Sequence, residues 1–83
     1  MPRQRRIMPT AAQFRAARAM LRWTIEQAAA QANVSIRTVA RAEDEDQGVS
    51  ARSRRRLVVA YEAEGIEFLS PEDHGAGVRF RRR

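Results

Sequence analysis

The residues best suited to chemistry in this chain are its arginines. The 16 basic residues are all Arg, and they outnumber 10 acidic residues to give a net charge of +6. A guanidinium presents a planar fork of donors that fits phosphate oxygens and the edge of guanine. GC-rich coding also produces an arginine bias, but the net positive charge favours an anionic partner whatever its origin. The composition therefore suits nucleic acid.

Catalytic chemistry has few candidate residues. The chain has no cysteine and one histidine, which excludes disulfides, thiolate metal sites and zinc fingers. His74 follows Glu72 and Asp73 in one predicted loop without further ligands, so a metal site there is disfavoured. There is no glycine-rich phosphate loop and no carboxylate pair on a rigid element. We expect no enzyme activity, no cofactor, no metal and no small-molecule ligand.

Length and hydropathy limit the architecture and the location. The 83 residues make a single domain, because a chain of this size buries only about 60% of its unfolded surface. No apolar run approaches the roughly 20 residues of a membrane span. The N-terminal MPRQRRIMP is basic and lacks the apolar stretch of a secretory signal, so we expect a cytoplasmic, nucleoid-associated protein with no membrane partner. Residues 1–9 are predicted to be a flexible basic arm, either a plain disordered tail or a DNA contact, ahead of a domain over residues 10–83.

Periodicity and capping residues predict four helices. Phe14, Ala17 and Leu21 repeat at helical spacing in the first helix, over residues 10–22, with Thr10 as its N-cap. Thr24 and Gln27 form the capping box of a second helix, over residues 24–32. A third is predicted over residues 35–44, and a fourth over residues 50–64.

The segment NVSIRTVARAEDED has two interpretations. Val34, Ile36 and Thr38 alternate with polar residues, as in a half-buried strand. Asn33, however, suits the left-handed residue that ends a helix, and Ser35 suits the N-cap of the next one. A turn followed by a helix is therefore favoured, with Ile36 and Arg37 exposed together.

The C-terminal segment predicts a β-hairpin. Ile66 and Phe68 alternate, as do Val78 and Phe80, on either side of the loop sequence SPEDHGAG. The strands are predicted at residues 66–69 and 78–82, with one apolar face. Because two strands are not stable alone, this face must pack on the helices or on a second chain.

Two helices joined by a short turn make a helix-turn-helix. With FRAARAMLRWT, EQAAAQANVSIRTVARAE and EGIEFL, the chain resembles the Cro/CI-type, or XRE, family of helix-turn-helix transcription regulators, over about Phe14 to Phe68. The resemblance implies a mainly α, lambda-repressor-like bundle of about four helices, to which the sequence pattern adds the C-terminal β-hairpin.

The resemblance also implies residue roles. The second helix of the motif lies in the DNA major groove in this family, where Ile36, Arg37 and Arg41 occupy base-reading positions. Thr24, Ser35 and Thr38 are placed to contact DNA phosphates. Independently of the resemblance, the arginine run that opens the fourth helix predicts further phosphate contacts from Arg52 and Arg54. Exposed arginines on a solvated surface are the alternative for the basic residues.

Three further positions bear on the resemblance. Glu43 matches an acidic family residue that pairs with an arginine of the first helix, here Arg18. Two positions depart from the family pattern: Ile25 replaces a glutamine that helps to grip phosphate, and Asn33 replaces the usual turn glycine.

We therefore expect a sequence-specific double-stranded DNA-binding transcriptional regulator, a repressor that binds a palindromic operator as a homodimer. Helix 4 and the hairpin are the predicted dimer contact. The alternative is a helix-turn-helix protein-interaction module, such as an antiactivator or antitoxin-like adaptor. RNA binding is disfavoured because exposed aromatic residues for base stacking are lacking.

Overall fold

The protein is mainly helical, as the sequence predicts. A computed structural model describes residues 8–45, 48–70 and 75–81. Within these ranges the chain forms α1 (Ala11–Leu21), α2 (Ile25–Ala32), α3 (Ile36–Ala42), α4 (Ala51–Ala63), β1 (Ile66–Leu69) and β2 (Gly77–Phe80). Four helices and a short antiparallel hairpin are therefore confirmed. In the described part of the chain, no helix combines the length and the apolar character needed to cross a bilayer.

All four helices begin with the same type of N-cap. Each N-cap residue has an extended backbone, and its hydroxyl accepts the backbone N–H of the residue three positions later; the four are Thr10, Thr24, Ser35 and Ser50. In α1 and α2 a glutamine completes a capping box by accepting the N–H of the N-cap residue. The chain thus marks every helix start with a local hydrogen bond.

The core is built around four aromatic rings. Tyr61 of α4 lies at the centre, with ring centroids 6.4 Å from Phe14, 5.6 Å from Trp23 and 6.1 Å from Phe68. Three alanines of α2 are buried and let the other helices approach closely: Ala28, Ala29 and Ala32. The aromatic cluster joins α1, α4 and β1 into one core.

The hairpin is attached to α1 through a buried glutamine. Gln13 donates from Nε2 to the carbonyls of Leu69 and Gly77, each at 2.9 Å, and its Oε1 accepts the N–H of Thr10. Leu69 and Gly77 are paired across the two strands. One side chain therefore binds both strands and also caps α1, which explains how so short a hairpin is held against the helices.

Several predicted boundaries shift. β2 begins at Gly77, because this residue pairs with Leu69, and it ends at Phe80 rather than at residue 82. The predicted apolar face is covered only in part: Ile66 is fully buried, but its cross-strand partner Phe80 is 53% exposed. Pro9, the last residue of the predicted arm, is buried, and the first seven residues of that arm lie outside the described residues.

Candidate nucleic-acid interface

A three-residue turn connects α2 to α3. Asn33 adopts the left-handed conformation, with φ 58° and ψ 49°, and the N–H of Val34 donates back to the carbonyl of Ala29 at 3.0 Å. Ser35 is extended, and its Oγ accepts the N–H of Thr38 at 3.0 Å. The strand interpretation is therefore wrong, because local caps on both sides outweigh the β-branched alternation.

Helix α3 presents its N-terminal end to solvent. Val39 and Ala42 are buried against the other helices, whereas Ile36 is 51% exposed and Arg37 is exposed beside it. Arg41 lies one turn further along and is half-buried. The predicted exposure of Ile36 together with Arg37 is confirmed, and their role in reading bases stays a prediction.

The opposite end of α3 is held by α1. Arg18 forms two hydrogen bonds with the carboxylate of Glu43, from Nε at 2.7 Å and from Nη2 at 2.9 Å. Arg15 donates to the backbone carbonyl of Glu43 at 2.6 Å. The hydrogen bond to Glu43 raises the pKa of Arg18 above its usual value. The expected Arg18–Glu43 pair is confirmed, and it fixes the angle at which α3 projects.

The acidic residues after α3 lie away from its exposed end. Glu43 is only 7% exposed and is neutralised by Arg18, while Asp44 and Glu45 are exposed beyond the helix C-terminus. Seven residues of helix separate this end from Ile36, a distance of about 10 Å. The negative charge is thus set apart from Arg37.

Side-chain hydroxyl groups lie at the N-terminal ends of both helices of the motif. Thr24 is exposed and uses Oγ1 to accept the N–H of Gln27 at 3.0 Å, which leaves its hydroxyl hydrogen to donate. Ser35 donates its hydroxyl hydrogen to Thr38 at 2.9 Å. Of that pair, Thr38 is therefore the hydroxyl that can donate to an incoming phosphate.

The predicted phosphate-binding arginines of α4 differ in their surroundings. Arg52 is exposed, but Arg54 is half-buried and donates from Nε to the carbonyl of Val49 at 3.3 Å. Arg56 contacts the motif itself, since its Nη1 donates to the carbonyl of Asn33 at 3.1 Å. No sequence pattern predicted this contact, although a carbonyl at a helix C-terminus commonly attracts a cation.

Ile25 occupies the position where the family resemblance implies a glutamine. It is half-buried at the first position of α2 and packs against the core. It therefore contributes packing at the position where the resemblance implies a phosphate-binding glutamine.

The described residues contain no metal site, since no three of their His, Asp and Glu side chains cluster. Glu72, Asp73 and His74 lie outside the described residues. No known family model matches the chain, and a search of curated proteins found no significant match.

Proposed function

We propose that the chain is a sequence-specific DNA-binding regulator of the Cro/CI type, with a lambda-repressor-like fold and with α3 in the major groove. The observation that carries the proposal is the pairing of Ile36 and Arg37, both exposed at the start of the second helix of a tight helix-turn-helix. A major groove about 12 Å wide admits an α-helix and displays the base edges. Ile36 is 51% exposed, so covering its apolar side chain with a partner would be more favourable than leaving it in water.

Three side chains of α3 have a matching DNA group. Arg37 and Arg41 fit the O6 and N7 atoms of guanine, and Ile36 fits the methyl group of thymine. Thr24 and Thr38 donate to phosphates on either side, with Ser35 orienting Thr38. Arg52 adds a phosphate contact from α4. The pair of half-buried Arg18 and buried Glu43 sets the direction of α3 without contacting DNA.

One motif of this size reads only a few base pairs. We therefore propose a homodimer on an inverted repeat, with half-sites about 10 base pairs apart so that both copies of α3 enter the same face of the duplex. Binding over a promoter would make the protein a cytoplasmic repressor.

A salt titration tests whether the protein binds DNA. Fluorescence anisotropy with a labelled duplex should give a straight line of log affinity against log salt, with a slope of about −0.9 for each phosphate contacted. The wild type should retain binding near physiological ionic strength. Selection from a randomised duplex library should then enrich one inverted repeat.

The second candidate is a protein-interaction module, which Ile25 favours because it removes a phosphate contact from the start of α2. An adaptor would lose DNA binding at physiological salt and would enrich no sequence. That pair of results would contradict the proposed function.

A further inference from the structure

The charged side chains of α4 are distributed unfavourably with respect to the helix dipole. Its N-terminal half contains Arg52, Arg54, Arg55 and Arg56, and its C-terminal end carries Glu62 and Glu64. The first turn has no acidic residue and the last turn has no basic residue. Because a helix N-terminus is partially positive and its C-terminus partially negative, both groups of charges oppose the stability of α4.

An exposed valine lies between these two groups of charges. Val59 is 64% exposed, more than any other large apolar side chain among the described residues. Its neighbours on the helix surface, three and four positions away, are Arg55 and Arg56 on one side and Glu62 and Ala63 on the other. Along its axis, this outer face of α4 is thus basic, then apolar, then acidic.

We propose that the outer face of α4 binds the same face of a second copy, with the two helices antiparallel and Val59 on the two-fold axis. In such an interface each contact occurs twice. Residues equally distant from Val59 face each other, so Arg56 lies opposite Glu62 of the partner subunit. Arg55 lies opposite Ala63 of the partner subunit, whose small side chain leaves room for the guanidinium.

The charge order selects a second copy over other occupants. DNA or an acidic protein would suit Arg55 and Arg56 but would place negative charge against Glu62 and leave Val59 without an apolar contact. Only a partner with the reverse order of charges matches the whole face, and an antiparallel α4 provides that order. Antiparallel helices also oppose their dipoles, which offsets the unfavourable charge placement in each.

This inference deepens the proposed function, because it assigns the surface that brings two reading helices onto one operator. It is tested without DNA. A failure to associate would contradict the inference and the proposed homodimer but not DNA reading by α3, whereas a dimer that binds no DNA would contradict DNA reading and leave the inference standing.

Cysteine cross-linking tests the axis directly. The chain has no cysteine, so Val59→Cys introduces a single thiol that meets its own copy on the two-fold axis, within the roughly 4 Å between Cβ atoms that a disulfide needs. Ile36→Cys and Phe80→Cys are matched controls, since both replace exposed apolar residues elsewhere. Circular dichroism verifies that each variant is folded.

On a non-reducing gel, Val59→Cys should form a covalent dimer at least about tenfold faster than either control, because association raises the local thiol concentration. An equal rate for Val59→Cys and Ile36→Cys would overturn the proposal. Fastest reaction of Phe80→Cys would also overturn it and would assign the interface to the hairpin.

A charge exchange gives a second readout. Glu62→Arg should weaken the dimer in sedimentation equilibrium by at least about tenfold, since the altered contact occurs twice. Adding Arg55→Glu and Arg56→Glu to that variant should restore association. Wild-type protein that remains monomeric at high micromolar concentration would overturn the inference.

Discussion

The environment of Tyr61 disfavours ionisation of its hydroxyl group. Its side chain is fully buried at the centre of the aromatic cluster, and its hydroxyl has no hydrogen-bond partner among the described residues. Burial raises the pKa of Tyr61 to about 12, with a smaller contribution from the charge of Glu43. The ring contributes packing, while the hydroxyl group adds a desolvation cost.

Replacing Tyr61 with Phe should leave stability unchanged or increase it by up to about 1 kcal/mol, because the ring remains and the unpartnered hydroxyl is removed. The free energy of unfolding, measured by chemical denaturation at neutral pH, checks this expectation. Destabilisation by more than about 1 kcal/mol would show that the hydroxyl has a stabilising partner.

Because the pKa of Tyr61 is raised in the folded state, the protein should lose stability in alkaline solution. The unfolded state releases the phenolic proton near pH 10.0, and the folded state retains it until about pH 12. Between these values the unfolded state binds fewer protons, so stability falls as the pH rises. The wild type should lose more stability over this interval than Tyr61→Phe, and parallel pH profiles would contradict the assignment.

Some single-residue contacts could be predicted from the sequence and others could not. The Arg18–Glu43 pair followed from the family resemblance. The contacts of Gln13 with Leu69 and of Arg56 with Asn33 join residues 56 and 23 positions apart, and no local pattern marks them. The sequence locates a helix cap because both partners lie within one turn, but tertiary packing decides which carbonyl a distant side chain reaches.

At the scale of elements, local hydrogen bonds set the helices, and the hairpin depends on tertiary contacts. The helix starts were predictable because each has a Ser or Thr whose bond closes over three residues. The alternation predicted which hairpin residues share an apolar face, but it could not show that the helices leave Phe80 of that face 53% exposed. The start of β2 likewise depends on the pairing of Gly77 with Leu69.

Gln13→Leu should detach the hairpin from α1. The change leaves the carbonyls of Leu69 and Gly77 without their shared donor and should cost about 2 kcal/mol of unfolding free energy. Gln27→Leu is the matched control, because Gln27 occupies the same capping-box position in α2 but forms no hydrogen bond to the described strands.

Amide hydrogen exchange separates the two variants. Gln13→Leu should accelerate exchange in β1 and β2 beyond its effect on the helices, whereas Gln27→Leu should not. Equal effects of the two substitutions on exchange in the strands would show that Gln13 stabilises only the start of α1 and does not hold the hairpin.

Asn33 supports the turn by tolerating the left-handed conformation. Asn33→Ala should destabilise the protein by about 1 kcal/mol. Both residues have a Cβ that is strained at φ 58°, but alanine lacks the polar side chain with which asparagine can offset this strain through local hydrogen bonds. Asn33→Gly should restore stability. Thermal unfolding checks both, and a fully stable alanine variant would mean that the turn changes shape.

At the scale of the whole molecule, the exposed end of α3 and the outer face of α4 have separate tasks. The first is proposed to read base pairs, and the second to join two copies. The net charge of +6 favours rapid association with DNA whatever its sequence. In the proposed function, sequence preference must therefore come from a few side chains, foremost Arg37.

The central claim is tested most directly by measuring the affinity of wild type and Arg37→Ala for the selected repeat and for its single-base variants. Arg79→Ala is the matched control, since it removes the same charge from the hairpin. We expect Arg37→Ala to lose about 1–3 kcal/mol of discrimination at one guanine position in each half-site and to retain it elsewhere. A uniform loss across all sequences, equal to that of Arg79→Ala, would contradict base reading by α3.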